Sequence, residues 1–307
     1  MESKNKDMTT KSLFPQRVLA DILKTRTLDM PKTEHLIIIG DSRHMKEVAD
    51  NSVHLIVTSP PYPMIRMWDS LFEKVGCRRY EEMHNYLGRV WNECKRVLVD
   101  GGMVCINIGD AIRKVDGIFR LFPNHSKIIE SFETLNFVTL PYILWKKPTT
   151  KPNAFLGSGF LPTNGYVMLD CEYILLFKKG GLRKFPKKDP YRYASYFTKE
   201  ERNLWFSQIW SVTGVKQQTG EIQRRTAAYP EEIARRLIRM FSIIGDTVLD
   251  PFLGTGTTTK TAISLFRNSV GYEIDETMLP LIKSVIGYQE ILSGERGANI
   301  KIIKEEK

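Results

Sequence analysis

Residues 247–273 read TVLDPFLGTGTTTKTAISLFRNSVGYE, and this stretch predicts a strand, a turn, a helix and a second strand in succession. The run TVLD is a short apolar strand. Gly254 and Gly256 follow it, and paired glycines at a strand end allow a tight turn and close approach of the backbone to a ligand. A helix over 257–266 leads to a strand that ends at Glu273. Because a carboxylate there can accept hydrogen bonds from both hydroxyls of a ribose, the stretch indicates a nucleoside-binding β-α-β unit.

Three other interpretations of this turn fit the residues less well. A phosphate-binding loop would require a glycine just before Lys260, where Thr259 stands. A dinucleotide-binding fingerprint would also require glycine at position 259. A structural turn without a ligand remains open, but it gives no role to Asp250, to the paired glycines or to Glu273.

A second turn follows an apolar run in HLIVTSPPY, residues 54–62. Two consecutive prolines cannot continue a central strand, because each lacks a backbone N–H. The turn therefore lies at a strand end and exposes the Ser59 hydroxyl, backbone carbonyls and the Tyr62 ring. These groups suit a planar ring that bears an amino group. A strand-terminating turn whose tyrosine packs into the core remains the alternative.

The composition limits the class of protein. The chain has 307 residues, of which 42% are hydrophobic and 26% are charged, which fits one large or two small folded domains. No apolar run is long enough to span a membrane, and residues 1–11 lack the apolar segment of a secretory signal. The four cysteines show no zinc-binding spacing, so a reducing, cytoplasmic setting fits. The net charge of +10 favours either solubility or a polyanionic partner.

Hydrophobic patterning predicts further elements along the chain. The expected strands are 36–39, 103–108, 137–145 and 171–177. The expected helices are 45–50, 80–98, 124–135 and 231–244. We expect 63–79 to be either a mobile loop over the site or an ordinary connection, 146–164 to be a long loop, and the charged tail 295–307 to fray.

A basic stretch, KKGGLRKFPKKDPYR, occupies residues 178–192. It has a single acid, Asp189, and two interleaved aromatic residues. This mixture predicts a surface that contacts phosphates. A solvated loop with charge for solubility is the alternative. The basic residues expected to contact DNA, with Arg66 from the earlier loop, are Arg66, Lys178, Lys179, Arg183, Lys184, Lys187, Lys188 and Arg192.

Together, DPFLGTGTT with Glu273 and TSPPY resemble the cofactor and catalytic motifs of amino-directed DNA methyltransferases. The catalytic motif comes first, as in the circularly permuted subgroup called β, and the resemblance covers about residues 35–280. Gly40-Asp41-Ser42 is similar to another cofactor motif of the family. The segment Ala228-Tyr229-Pro230 is similar to the one that flanks the methionine part of the cofactor.

The resemblance implies an α/β fold with a mostly parallel, twisted, seven-stranded sheet flanked by helices, a Rossmann-like arrangement. It divides the chain into an N-terminal arm (1–34), a catalytic half (35–177), a small basic target-recognition insert (178–210), and a cofactor-binding half with a C-terminal tail (211–307). It implies S-adenosylmethionine as cofactor, held by Asp41, Ser42, Thr58, Tyr229, Pro230, Asp250, Pro251, Phe252, Gly254, Gly256, Thr257, Thr258, Glu273 and Ile274. The catalytic residues that it implies are Ser59, Pro60, Pro61 and Tyr62.

The implied reaction is methylation of an exocyclic amine on a base flipped out of double-stranded DNA. Ser59 and the Pro60 carbonyl would accept the two N–H bonds, Tyr62 would stack on the base, and Pro61 would stiffen the turn. Carbon-5 methylation of cytosine is set aside, because that chemistry needs a thiol nucleophile and no cysteine here follows a proline.

The motif indicates which amine is the target. Serine at the first motif position is typical of cytosine-N4 enzymes and favours them, with adenine N6 as the alternative. A methyltransferase of proteins or small molecules, and a DNA-binding protein with a dead site, are the competing classes. The resemblance also implies a prokaryotic restriction-modification system. It leaves open whether a restriction endonuclease of the same specificity accompanies the protein, and whether the protein is a monomer or a homodimer.

Overall fold

The computed structural model describes residues 28–147, 167, 169–214, 229–294 and 297–305. The strands are β1 (Thr33–Ile39), β2 (Val53–Thr58), β3 (Leu98–Ile108), β4 (Ala111–Val115), β5 (Ile118–Phe122), β6 (Phe137–Lys146), β7 (Cys171–Lys179), β8 (Ile209–Trp210), β9 (Thr247–Asp250), β10 (Asn268–Glu273) and β11 (Ala298–Lys304). The helices are α1 (Asp69–Lys74), α2 (Tyr80–Val97), α3 (Asn124–Thr134), α4 (Pro190–Ala194), α5 (Lys199–Trp205), α6 (Glu231–Phe241), α7 (Thr257–Ser264), α8 (Leu279–Ile286) and α9 (Tyr288–Leu292). Short 3-10 turns precede α1 and α8, at Arg66–Trp68 and Glu276–Met278.

Nine of these strands form one sheet, in the order β11-β1-β10-β9-β2-β3-β7-β6-β8. Strand β7 pairs antiparallel with β3 and β6, and the other neighbouring strands of this sheet pair in parallel. The carboxyl ends of the parallel strands therefore share one edge of the sheet, which we call the carboxyl edge. Strand β7 begins at the carboxyl edge and ends at the opposite one.

Helices cover both faces of the sheet, as a parallel sheet requires. On one face, Ile56 of β2 belongs to the same buried cluster as Trp91 of α2. On the other face, its neighbours Leu55 and Val57 belong to a cluster with Leu237 of α6. Successive side chains of β2 thus pack into two separate cores, one on each face of the sheet. The predicted α/β class is confirmed.

The sheet has nine strands rather than the expected seven, because β8 and β11 extend it at its two ends. The expectation that the tail frays was wrong for Ala298–Lys304, which pairs with β1 along its whole length. Its lysines suggested a solvated segment. The alternating Ile300 and Ile302, however, pack against a third cluster formed with α8 and α9.

The expected helix over Met45–Asp50 is absent, and turns replace it. Arg96 of α2 explains the difference. Its guanidinium donates to the carbonyl oxygens of Met45 at 2.8 Å and of Val48 at 3.0 Å. In a helix these carbonyl oxygens would accept backbone N–H groups, but here they accept hydrogen bonds from a side chain of α2.

Several expectations concern residues outside the described ranges. The N-terminal arm is described only from residue 28 onward, and of the expected loop 146–164 only Lys146 and Lys147 are described. The stretch 63–79 contains the first 3-10 turn and α1, so part of it is helical. Among the described residues, no helix is both long and apolar enough to cross a membrane.

Candidate active site

A cavity of about 1060 Å³ opens at the carboxyl edge, where β1, β2, β9 and β10 end. Strands β2 and β9 are direct neighbours, so the turns that follow them meet although they are far apart in the chain. The sequence-predicted residues that line the cavity are Asp41, Ser42, Ser59, Pro61, Tyr229, Asp250, Pro251, Phe252, Gly254, Thr257, Glu273 and Ile274. Thr58, Pro60, Tyr62, Pro230, Gly256 and Thr258 adjoin these residues in the chain but do not line the cavity.

The Asp250 carboxylate links the two turns. It accepts a hydrogen bond from Thr58 Oγ1 at 2.7 Å and another from Thr258 Oγ1 at 2.5 Å. The Phe252 backbone N–H donates to the same group at 3.1 Å. Burial raises the pKa of Asp250 to about 6, and these hydrogen bonds oppose the rise. Tyr229 bonds to the Thr258 hydroxyl, which extends the network to the start of α6.

Glu273, at the end of β10, closes the turn that contains Gly254 and Gly256, which we call the glycine turn. Its two oxygens accept the backbone N–H groups of Gly254 at 2.9 Å and Asp275 at 2.8 Å. Burial raises the pKa of Glu273 to about 7, against the effect of both hydrogen bonds. The carboxylate is thereby fixed in orientation in the cavity wall, and its remaining lone pairs can accept hydroxyl groups.

The turn over residues 58–62, which we call the catalytic turn after its sequence motif, is held by a polar network centred on Tyr62. The Tyr62 hydroxyl lies 3.2 Å from Ser59 Oγ, donates to Glu172 Oε2 at 2.9 Å, and accepts from Asn107 Nδ2 at 2.7 Å. Asn107 Nδ2 also donates to Glu172 at 2.7 Å, and the Lys147 ammonium pairs with the other Glu172 oxygen. Burial raises the pKa of Tyr62 well above its ordinary range, so its hydroxyl stays protonated.

The Tyr62 ring does not face the cavity. It is 8% exposed, and it packs so closely on Gly109 that a Cβ there would lie 3.0 Å from the ring. The alternative considered from the sequence, a tyrosine packed into the core, therefore describes the ring in this structure. Stacking of Tyr62 on a base stays a prediction.

A protein-family profile described as DNA methylase matches residues 53–284. The chain belongs to the N6/N4 DNA methylase family. The matched span includes the catalytic turn, the glycine turn and Glu273, so both turns of the methylase lie within the region that matches the family. The family assignment confirms the resemblance drawn from the two motifs.

Known proteins similar to the methylase support this assignment. Type II methyltransferase M.MjaI of Methanocaldococcus jannaschii is 63% identical over 281 residues, covering 84% of this chain and 93% of that protein. Type II methyltransferase M.MthZI of Methanothermobacter thermautotrophicus is 47% identical over 283 residues, covering 86% and 79%.

Two solved structures resemble the fold of the methylase. TTHA0409 of Thermus thermophilus, a putative DNA modification methylase in complex with S-adenosyl-L-methionine, aligns with a TM-score of 0.68 and 32% identity, covering 87% of this chain and 99% of that one. The cytosine-N4-specific PvuII DNA methyltransferase aligns with a TM-score of 0.60 and 17% identity, covering 89% and 96%. At that identity the second match supports the fold alone.

The methylase uses S-adenosylmethionine, which supplies an electrophilic methyl group on a sulfonium sulfur when it is bound. The cavity residues fit this group. Glu273 offers oriented acceptors for ribose hydroxyls, and Gly254 permits close approach of the backbone. Trp68 is also part of the cavity wall, and its buried indole N–H has no hydrogen-bond partner among the described residues.

Asp41 lies in the cavity wall, but its carboxylate is already engaged. The Arg43 side chain donates to Asp41 Oδ2 at 2.5 and 2.8 Å, and the Arg43 backbone N–H donates to Oδ1 at 3.0 Å. Burial raises the pKa of Asp41, yet the bonds from Arg43 outweigh it and leave the pKa lowered. No helix follows Asp41, so it does not cap one. A direct role of Asp41 in holding S-adenosylmethionine stays a prediction.

The structure does not bring the basic stretch to the cavity. Strand β7 runs antiparallel, so Lys178 and Lys179 lie at the edge opposite the carboxyl edge. Lys179 Nζ donates to the carbonyls of Lys95 and Leu98, at 2.7 and 2.6 Å. Lys179 thus uses these donors within the fold, and contact of the basic stretch with DNA stays a prediction.

The remaining residues of the stretch lie on the same side as Lys179. Arg183 forms a bidentate pair with Asp246, just before β9, and both Arg183 and Arg192 lie over the Phe185 ring. Lys184, Lys187, Lys188 and Arg192 are exposed. Arg66 is also exposed, but it opens the 3-10 turn whose Met67 and Trp68 line the cavity.

Three polar residues of the site were not found from the sequence. Asn107 and Glu172 brace Tyr62, and Glu305, after β11, accepts the Asp41 backbone N–H at 3.1 Å in the cavity wall. A signal existed for Asn107 and Glu172, because each interrupts an apolar strand. No local pattern marks Glu305, since its position depends on β11 pairing with β1.

We expect Glu172→Gln to lower kcat by about tenfold or more and to leave the Kd for S-adenosylmethionine nearly unchanged. The substitution removes the negative charge that holds Tyr62, Asn107 and Lys147 together, and small displacements of catalytic groups are costly. Single-turnover methylation and cofactor titration measure the two effects. Glu130→Gln, a change on the exposed side of α3, is the matched control. Equal kcat values for the two variants would contradict the role of Glu172.

Proposed function

We propose that the methylase transfers a methyl group to the exocyclic N4 amine of cytosine in double-stranded DNA. The observation that carries the proposal is the position of Ser59, which lines the same cavity as Gly254 and Glu273. Serine at this motif position is typical of cytosine-N4 enzymes, whereas Asp or Asn is typical of adenine-N6 enzymes. The TTHA0409 complex with S-adenosyl-L-methionine is consistent with a cofactor in this cavity.

In the proposed reaction, the chain's part is to orient the amine. The amine lone pair is delocalised into the base, so the nitrogen is a poor nucleophile. Ser59 Oγ and the Pro60 carbonyl would accept its two N–H bonds and favour a pyramidal nitrogen directed at the methyl group. Two prolines fix the backbone of the turn, and the Tyr62–Glu172–Asn107 network holds the Ser59 side. Positioning and electrostatics then provide most of the acceleration.

The product nucleoside tests the assignment. Purified protein is incubated with double-stranded DNA and S-adenosylmethionine labelled on the methyl group, and the digested nucleosides are separated. We expect label in N4-methylcytosine. Label found only in N6-methyladenine would assign the adenine alternative instead, and label absent from DNA altogether would remove the DNA substrate.

We further propose that the methylation protects DNA from a restriction endonuclease that recognises the same sequence. The relatives named above are both Type II methyltransferases. Genomic DNA from an expressing host should resist digestion by an endonuclease of the mapped specificity, and DNA from a host with the Ser59→Ala variant should be cut. Cutting of both samples would contradict this role.

A further inference from the structure

The β4–β5 hairpin, residues 111–122, leaves the sheet at the carboxyl edge next to the catalytic turn. It begins three residues after the end of β3. Asn124, just past the hairpin, donates to the carbonyls of Gly109 at 2.9 Å and Pro63 at 3.0 Å. These two bonds tie both ends of the hairpin to the segment that follows Tyr62. The base of the hairpin therefore has a fixed position beside the cavity.

The hairpin carries more positively charged than negatively charged side chains. Arg113 and Arg120 stand directly opposite each other in the register, an arrangement that is destabilising for like charges. Asp69 of α1 pairs with Arg113 at 2.7 Å. Lys114 adds a third cation, against one acid within the hairpin, Asp116. An excess of cations at this point suits a polyanionic partner.

The hairpin also exposes large apolar side chains, Ile118 beside its tip and Leu121 near its base, where Leu121 pairs with Ile112. Ile118 is 65% exposed and Leu121 is 49% exposed. The tip itself is tight, because Asp116 and Gly117 have φ values of +51° and +78°. Two successive residues with positive φ match the type I′ turns that favour rigid two-residue hairpins. The exposed Ile118 thus directly follows a preformed turn, and we call this end of the hairpin the apolar tip.

We propose that this hairpin is the surface that holds duplex DNA next to the everted base. Lys114 and Arg120 contact phosphates, and Ile118 packs against the bases exposed where the target leaves the stack. Apolar side chains that insert between bases are a known means of offsetting lost stacking. The inference rests on the DNA methylation described above, and it locates the contact surface at the carboxyl edge rather than on the basic stretch 178–192.

Matched charge substitutions distinguish the two surfaces. Lys114→Gln/Arg120→Gln and Lys187→Gln/Lys188→Gln each remove two positive charges from exposed residues of the full-length protein. Binding to a fluorescent duplex that contains the mapped methylation site is measured from 50 to 300 mM NaCl. For the hairpin variant we expect about a tenfold weaker Kd and a salt slope smaller by about two, since each phosphate contact contributes about 0.9.

The control pair should change neither quantity appreciably, and both variants should bind S-adenosylmethionine normally. Equal losses from both pairs, or a loss from the control pair alone, would overturn the proposal. A wild-type protein that does not bind the duplex at all would contradict DNA methylation itself, so the two failures are distinguishable.

The apolar tip has a separate test. Ile118→Ser should keep the salt slope of binding but lower kcat severalfold on a duplex with a paired target base. A mismatch opposite the target reduces the cost of eversion. The mismatched duplex should therefore restore much of the lost kcat in the variant and change the wild type less. Ile118 is exposed, so thermal melting should show both proteins equally folded. Wild-type kcat values for Ile118→Ser on both duplexes would exclude contact of the tip with the bases.

Discussion

The Ser59→Ala variant is expected to lose about 10²- to 10³-fold in kcat, the range seen when one oriented hydrogen-bonding group is removed from an active site. Ser59 lies in the cavity wall, and its hydroxyl is held 3.2 Å from the Tyr62 hydroxyl. Alanine removes the acceptor proposed for one amine N–H, while the prolines still fix the backbone of the turn. Single-turnover methylation at saturating DNA and cofactor measures the loss.

The Kd for S-adenosylmethionine should change little in the same variant, because most of the groups expected to hold the cofactor lie on β9, β10 and the turns that follow these strands. Ser70→Ala is the matched control, since Ser70 lines the same cavity from α1. It should retain nearly full kcat. A Ser59→Ala protein that methylates DNA at the wild-type rate would remove Ser59 from the catalytic machinery, whichever base is the target.

Most elements that build the cavity could be predicted from the sequence, because each is marked by a pattern within its own residues. Apolar runs followed by Gly, Pro or Asp marked β2, β9 and β10, and helical spacing marked α2 and α6. The β11 strand escaped detection because lysines alternate with its isoleucines, and its place beside β1 depends on a pairing across 264 residues, such as that of Glu305 with Asp41. The segment forms a strand because its pairing with β1 packs Ile300 and Ile302 against the third cluster, and its composition alone does not favour a strand.

For the basic stretch 178–192, the sequence indicated a chemical character but not a location in the fold. Its composition suggested phosphate contacts, and composition does not specify which edge of a sheet a loop occupies. That depends on the direction of β7, which pairs antiparallel with β3. The short hairpin with Arg113 and Arg120 has less charge but lies beside the catalytic turn. Location relative to the cavity, rather than charge density, decides which surface can hold DNA next to an everted base.

Glu273→Gln is expected to weaken S-adenosylmethionine binding by about ten- to a hundredfold, which corresponds to about 1.5–3 kcal/mol for hydrogen bonds to a charged group. The carboxylate already uses one lone pair of each oxygen for the N–H groups of Gly254 and Asp275. Glutamine keeps one oxygen and sets an amide N–H against one of those backbone donors. Isothermal titration with S-adenosylmethionine measures the change, and Glu231→Gln on the exposed side of α6 is the control.

The pKa of Glu273, raised by burial to about 7, gives this prediction a second signature. Hydroxyl groups that bond to the carboxylate favour its charged form, so binding should lower the pKa of Glu273 and release protons near neutral pH. Affinity should therefore be highest above pH 7 and fall as the pH drops through 7 toward 6. The titratable groups of the cofactor affect the wild type and Glu273→Gln alike. The charges of Asp275 and Asp250 also raise the pKa of Glu273, so the difference between the two pH profiles reports on Glu273 together with its interaction with these two carboxylates. Parallel profiles with no divergence near pH 7 would contradict an ionised Glu273 as the ribose acceptor.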